Sequence, residues 1–315
     1  MNNPTPNPHQ PLISALTTFY TLLIDLCYLP PSQLILPPEN TARHAPNLIN
    51  AHAATLNGFR PSTIDLAHQI PYITEDDIKL NAETQPLCYL TRRGGEIHPL
   101  RADEDQAAAA AAAVDLADEW EYARDPTFQD RDDMWCRFNI LVLTRGQVYG
   151  SVLLYDVDNQ TIREWKISEG LGWGKNPAYP MTSSQNPLYT WMRDFLSLKI
   201  IPLDGNISLQ RDLEEFRSGD GEYEMYTQYL KKARKGYEKE RTLRDVYLRC
   251  GWGVDAVDGL PVLSEGEGGR VWERMERARR AAVEGFQSAE FVICRGEWFE
   301  RLWPEDAGGK CSGCC

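Results

Sequence analysis

Basic residues are in short supply. The 315-residue chain carries 33 lysines and arginines against 46 aspartates and glutamates, a formal net charge of −13. Nucleic acid needs a positive surface to neutralise its phosphates, so this balance excludes it as an expected partner; simple adsorption to anionic lipid is disfavoured for the same reason. Catalytic signatures are also missing. None of the five histidines, His9, His44, His52, His68 and His98, stands in a zinc-ligand spacing or beside a cysteine pair. There is no GxSxG and no P-loop, so the sequence supports neither nucleophilic nor phosphoryl-transfer templates, and no cofactor is expected. A secretory signal is not expected either, because MNNPTPNPHQ contains no lysine or arginine. The apolar run that follows is broken by Thr17, Thr18, Thr21 and Asp25, which also makes Leu12 to Leu29 a poor membrane span. Cys27, Cys88, Cys136, Cys250 and Cys294 are scattered singly among apolar residues, as buried thiols are in a reducing compartment. The expected location is cytoplasmic.

With 42% hydrophobic and 25% charged residues, the chain suits a soluble globular fold. Its densest run of β-branched and aromatic residues lies between Trp135 and Trp165. Phe138 to Thr144 reads as a strand buried on both faces, Arg145-Gly146-Gln147 as a turn, and Val148 to Asp156 as a second strand. A turn at Asp158-Asn159-Gln160 leads to a third strand, Thr161 to Ile167. The gaps are too short for helical crossovers, so the strands form an antiparallel meander. Leu141, Val142, Leu154 and Trp165 are expected to be almost fully buried.

Around this sheet the reading places helices. Leu12, Leu16, Phe19, Leu23 and Cys27 mark one face of a helix over 12–28, ended by Pro30-Pro31. Short helices follow, one ending at Asn57-Gly58 and one starting at Pro61. Residues 75–85 read as polar linker, 87–90 as a short strand, and the seven alanines Ala107 to Ala113 as part of an insertion. Asn186-Pro187 starts a helix over 187–198, and further helical stripes run over 222–250 and 271–286.

Two passages together resemble the SUKH superfamily, whose fungal members include regulators of cell-wall synthesis. One is Leu22-Leu23-Ile24-Asp25-Leu26-Cys27-Tyr28-Leu29-Pro30-Pro31 with the later Leu56-Asn57-Gly58-Phe59. The other is the meander, with Tyr149-Gly150, Leu154-Tyr155-Asp156 and Ile162-Arg163-Glu164-Trp165. The resemblance covers residues 12–200. It departs from the family's pattern at Phe59, where glycine is common, and over the added segment 75–130. What it implies is a non-catalytic α+β binding module with a twisted sheet covered by helices.

The resulting organisation is a mobile tail over 1–11, one α+β domain over 12–304 and a flexible cysteine-rich end over 305–315. Within the domain, 12–204 is the SUKH-like core with its 75–130 insertion, and 205–304 is a helical extension. Trp173, Tyr179 and Trp252 stand in glycine- or proline-flanked loops and are candidate anchors for a protein partner. Asp156 and Asp158 carry a rival reading. Two carboxylates at a strand end can hold a divalent cation and a nucleotide-sugar diphosphate, as in a metal-dependent glycosyltransferase. A hairpin turn explains the same residues. Cys311, Cys314 and Cys315 form no CaaX box but suit S-acylation or terminal Cys-Cys prenylation, with Lys310 the tail's one cation. The expectation is an intracellular interaction module with a candidate regulatory role, and its tail reads either as a lipid tether or as a soft-metal site or plain flexible end.

Overall fold

The computed structural model describes residues 7–74, 77–93, 96–97, 114–127, 136–147, 149–169, 172–203, 206–209, 241–254 and 271–302. In chain order these form α1 (Gln10–Asp25), β1 (Leu34–Ile35), α2 (Ala51–Leu56), α3 (Pro61–Ala67), β2 (Tyr72–Ile73), β3 (Thr84–Pro86), β4 (Arg92–Arg93), β5 (Glu96–Ile97) and α4 (Val114–Arg124). The sheet region follows, with β6 (Ile140–Val142), β7 (Thr144–Gly146), β8 (Ser151–Asp156), β9 (Thr161–Lys166) and β10 (Tyr179–Pro180). Then come α5 (Pro187–Leu196), β11 (Ile200–Leu203), β12 (Asn206–Leu209), a helix over 241–249 (α6), α7 (Val271–Val283) and α8 (Ser288–Leu302). The class is α+β.

The central sheet has the order β10-β9-β8-β6, antiparallel throughout. Val142 faces Leu154, and Leu154 in turn faces Arg163, so β8 is the middle of the meander. All six residues of β8 are buried, which is what a strand covered on both faces requires. Leu141 and Val142 are 0% exposed and Leu154 and Trp165 1%, as the apolar run predicts.

Two details of the meander differ from the expectation. Phe138 lies ahead of the strand and is 46% exposed. The stretch expected to be a turn is also partly strand. Thr144–Gly146 turns aside to pair with Thr84–Pro86, inside what reads as polar linker. Gly150 lies against this added ribbon, and a Cβ there would sit 2.1 Å from the Glu83 carbonyl oxygen, so only glycine fits. Ile78, Leu80, Tyr89, Trp120 and Tyr122 are all buried, so the segment read as an insertion supplies core. The Tyr89 and Trp120 rings lie 4.2 Å apart, and the Tyr89 hydroxyl donates to the Val142 carbonyl at 2.8 Å. Residues 87–90 are buried but form no strand beyond a bridge from Leu90 to Ile49. The alanine run itself lies outside the described residues.

The helices follow their caps. Asn50 starts α2 by accepting from the Ala53 amide, and Asn186 starts α5 by accepting from Leu188 and Tyr189, with Pro187 in the first turn. Helix α1 ends at Asp25, ahead of Pro30-Pro31. Cys27 adopts a left-handed φ of 54° there, and the Tyr28 and Leu29 amides fold back onto the Leu23 carbonyl. The prolines therefore follow a stop already made by the backbone. Helices α1, α5 and α7 pack together, with Phe19 touching both Trp191 and Phe195. Val271–Val283 and the added α8 extend the apolar core through Met275, Ala282 and Phe291.

Candidate functional site

A groove of about 600 Å³ opens between α1 and α7. It exists because α1 has two faces. Leu12, Leu16, Phe19 and Leu23 turn into the core, and Ser14, Thr17, Thr18 and Thr21 line the groove. The Thr17 hydroxyl donates to the Ile13 carbonyl at 2.8 Å, and that of Thr21 to the Thr17 carbonyl at 2.7 Å. With the hydroxyls bound to their own helix, the γ-methyl groups become the part offered to the groove. Its lining is accordingly more apolar than polar.

The α7 wall of the groove is acidic. Glu273, Glu276 and Arg279 line it from α7, two carboxylates against one guanidinium. Arg279 is fully engaged: its Nε and Nη2 donate to Glu276 at 2.9 and 2.8 Å, and Nη1 to Asp25 of α1. Glu276 also accepts from Arg280 at 2.9 Å. These hydrogen bonds from Arg279 hold the Glu276 carboxyl below its usual value. Asp25 moves the other way, because burial outweighs the guanidinium beside it. The cluster binds α1 to α7, and Glu273 is left exposed at its rim.

A second, smaller concavity of about 270 Å³ opens at the β9–β10 edge against α5, where Glu164, Lys166, Tyr179 and Thr190 meet. Tyr179 is half-buried on its rim. The other two aromatics proposed as anchors are placed differently. Trp173 is 8% exposed, with the Arg137 and Arg163 guanidinium groups 5.8 and 5.7 Å from its ring centre. Trp252 is 2% exposed, donates from Nε1 to the Leu196 carbonyl at 3.0 Å, and meets Phe286 edge-on. Both indoles serve the core in this structure. Gly251, at φ 91°, makes the turn that carries Trp252 inward, whereas Gly174 has open space where a Cβ would be.

Asp156 and Asp158 lie at one hairpin. The Asp156 carboxylate is buried and accepts from four donors: Asn139 Nδ2 at 3.0 Å, the amides of Asp158 and Asn159 at 3.1 and 3.0 Å, and Asn159 Nδ2 at 2.9 Å. Asp158 forms an ion pair with Arg60 at 2.7 Å. The carboxylates are committed to separate partners, a geometry that builds a turn. Among the described residues no three side chains of His, Cys, Asp or Glu converge as metal ligands.

Three histidines gather near the start of α1 and the end of α3. His9 Nδ1 lies 3.0 Å from the Tyr155 hydroxyl, His44 Nε2 lies 2.9 Å from the Ile70 carbonyl, and the His44 amide donates to the His68 carbonyl at 2.7 Å. Burial lowers the pKa of all three.

Cys311, Cys314 and Cys315 lie outside the described residues, as do residues 222–240 of the expected helix. Among the described residues, no helix is long and apolar enough to cross a membrane. Sequence reasoning missed the groove, because its walls come from helices 254 positions apart at the Asp25–Arg279 contact. The one available signal was the run of hydroxyls on α1 opposite its apolar face, which a purely solvated helix would have filled with charge. Compared with family models, curated proteins and solved structures, the chain finds no match in any of the three.

Proposed function

We propose that the chain is a non-catalytic, SUKH-like protein-interaction module whose contact surface is the α1–α7 groove, working in a reducing intracellular compartment. Its partner in this reading is a polypeptide segment carrying apolar side chains and at least one cation. The observation that supports it is the groove itself, about 600 Å³, walled by threonine methyl groups and edged by Glu273 and Glu276. A volume of that size accepts several side chains. The ionisable groups beside it are bound to one another, which suits holding a shape more than moving a proton. The remaining acidic charge attracts a basic segment over long range, by the same field that repels nucleic acid.

The test compares affinity capture by the full-length protein and by two variants. Ser14→Trp fills the groove, and Glu273→Lys reverses its rim. Both are expected to lose the same bound protein while keeping the wild-type melting curve. Undiminished capture by both variants would overturn the reading. A metal-dependent glycosyltransferase is the competing class. Saturable calorimetric binding of Mn²⁺ with a nucleotide sugar, lost in Asp158→Ala, would establish it in place of the module.

The reading includes a tether through Cys311, Cys314 and Cys315. Acyl chains add about 0.8 kcal/mol per buried methylene, so two chains outweigh the repulsion between an acidic domain and anionic lipid. Membrane fractionation of the full-length protein beside the triple serine variant, with intact mass, decides this point. A protein that stays wholly soluble and unmodified has no tether.

A further inference from the structure

Phe138 and Leu56 lie exposed where the end of α2, the start of α3 and the approach to β6 meet. Phe138 is held there through its backbone and its ring. Its carbonyl accepts from the Arg60 amide and from the Thr63 hydroxyl, each at 3.0 Å. Its ring lies against Gly58, at φ 85°, where a Cβ would come within 2.6 Å of the ring Cε1. The Arg124 guanidinium is 5.8 Å from the centre of that ring and donates to the Asn57 carbonyl at 3.3 Å. The ring nonetheless stays 46% exposed, and Leu56, two residues before Gly58, is 71% exposed. An apolar anchor already fixed in place loses little freedom when a partner covers it. Guanidinium groups surround it. Arg137 precedes Phe138, and the Trp173 indole holds both Arg137 and Arg163. Among the described residues neither of these two arginines forms an ion pair. An indole face orients a guanidinium without cancelling its charge. Arg60 is paired with Asp158 at 2.7 Å, but both groups are exposed, so an incoming carboxylate shares that guanidinium at small cost. The acid next to Arg124, Asp125, accepts from the Thr127 amide and hydroxyl at 3.2 and 2.6 Å.

We propose that this surface binds an acidic polypeptide segment that also carries a bulky apolar side chain. Its carboxylates pair with Arg60, Arg137 and Arg163, and its apolar group covers Phe138 and Leu56. Charge complementarity selects this partner over the other polyanions that arginines attract. The chain's net charge of −13 repels a long polyanion such as nucleic acid, whose charge continues far beyond the patch. A short acidic segment places its few charges within one Debye length of the arginines, ~8 Å at physiological salt, where the local field outweighs that of the whole chain. Bidentate pairing with guanidinium also suits carboxylates on side chains that can turn to meet it. The surface shares no residue with the α1–α7 groove and takes a partner of opposite sign, so it stands apart from the function proposed for that groove.

The test is fluorescence anisotropy on the full chain, with a labelled peptide of glutamates interspersed with phenylalanine and leucine as the probe and single-stranded DNA as the comparison. Saturable binding of the peptide is expected, weakening as salt rises from about 0.15 M to about 1 M and the Debye length shrinks to about 3 Å. Arg137→Glu should weaken binding by about tenfold and flatten its salt dependence. Leu56→Ser should weaken binding and leave the salt dependence as it is. Both side chains are exposed, so both variants are expected to keep the wild-type melting curve. Ser14→Trp, in the groove, should bind the peptide as the wild type does. No binding to the wild type, an affinity unchanged in Arg137→Glu, or tighter binding of single-stranded DNA would overturn the proposal.

Discussion

The sheet and the α1–α7 contact hold the protein together by different means. In β8 every side chain is buried, and the strand is paired on both sides within about twenty-five residues of sequence. Its stability comes from apolar area removed from water at contacts close in sequence. Between α1 and α7 the contact joins distant parts of the chain, and Asp25, Arg279 and Glu276 sit at its edge with 14–26% exposure. A fully apolar junction would have closed completely. The polar one leaves a groove beside it, so the concavity arises where the packing is mixed.

The largest effect should come from the sheet. Leu154→Ala removes a side chain 1% exposed at the centre of β8 and is expected to cost about 2–5 kcal/mol, read from thermal or denaturant unfolding. An unchanged melting curve would mean that β8 does not carry the core. Arg279→Ala comes next, at about 2–3 kcal/mol, because it leaves the Asp25 carboxylate mostly buried without its cation. Arg279→Lys should recover only part of this, since one ammonium cannot bridge Asp25 and both oxygens of Glu276. Full rescue by lysine would show that charge alone, without the forked geometry, joins the helices.

The hairpin supplies a sharper contrast within the sheet. Asp156→Ala strands four donors and is expected to cost about 1–3 kcal/mol. Acid should weaken the region where α1 and α3 meet β8. A histidine whose folded pKa lies below its unfolded value of about 6.5 is protonated more readily in the unfolded chain. Stability from His9, His44 and His68 is therefore complete above about pH 6.5 and falls as pH drops through the interval below it. Arg43 reinforces the depression at His68, and Asp65 opposes it at His9. The melting temperature should fall by a few degrees from pH 7.5 to 5.5, and a flat profile would contradict the buried neutral histidines. The smallest effect belongs to Asp158→Ala, within about 1 kcal/mol, because its pair with Arg60 is solvent-exposed on both sides.

How much of this was legible in the residues follows the same division. The strands around Leu141, Leu154 and Trp165 announce themselves because burial on both faces demands an unbroken apolar run. The cap at Asn186 is equally local, and it is present. Phe138 and Thr144 mark where that logic stops. Whether a chain end of a strand continues, bends or pairs elsewhere depends on Thr84–Pro86, more than fifty residues away. The glycines beside Trp173 and Trp252 mark loops but not the side to which a ring turns, because the groups that receive them, Arg137 and Arg163 for Trp173 and Phe286 for Trp252, come from other segments. The groove is a pure product of tertiary packing, and no spacing in the sequence records it.

The ion pair between Asp25 and Arg279 also bears on how the chain is made. These residues are 254 positions apart, so at about 5–20 residues per second a ribosome needs about 13–50 s to deliver the second after the first. Throughout that interval the polar flank of α1 has no α7 beside it, and Asp25 has no guanidinium. Synthesis therefore passes through a long-lived state in which the groove has only one wall, and the hydroxyl-lined flank of α1 faces water until α7 arrives.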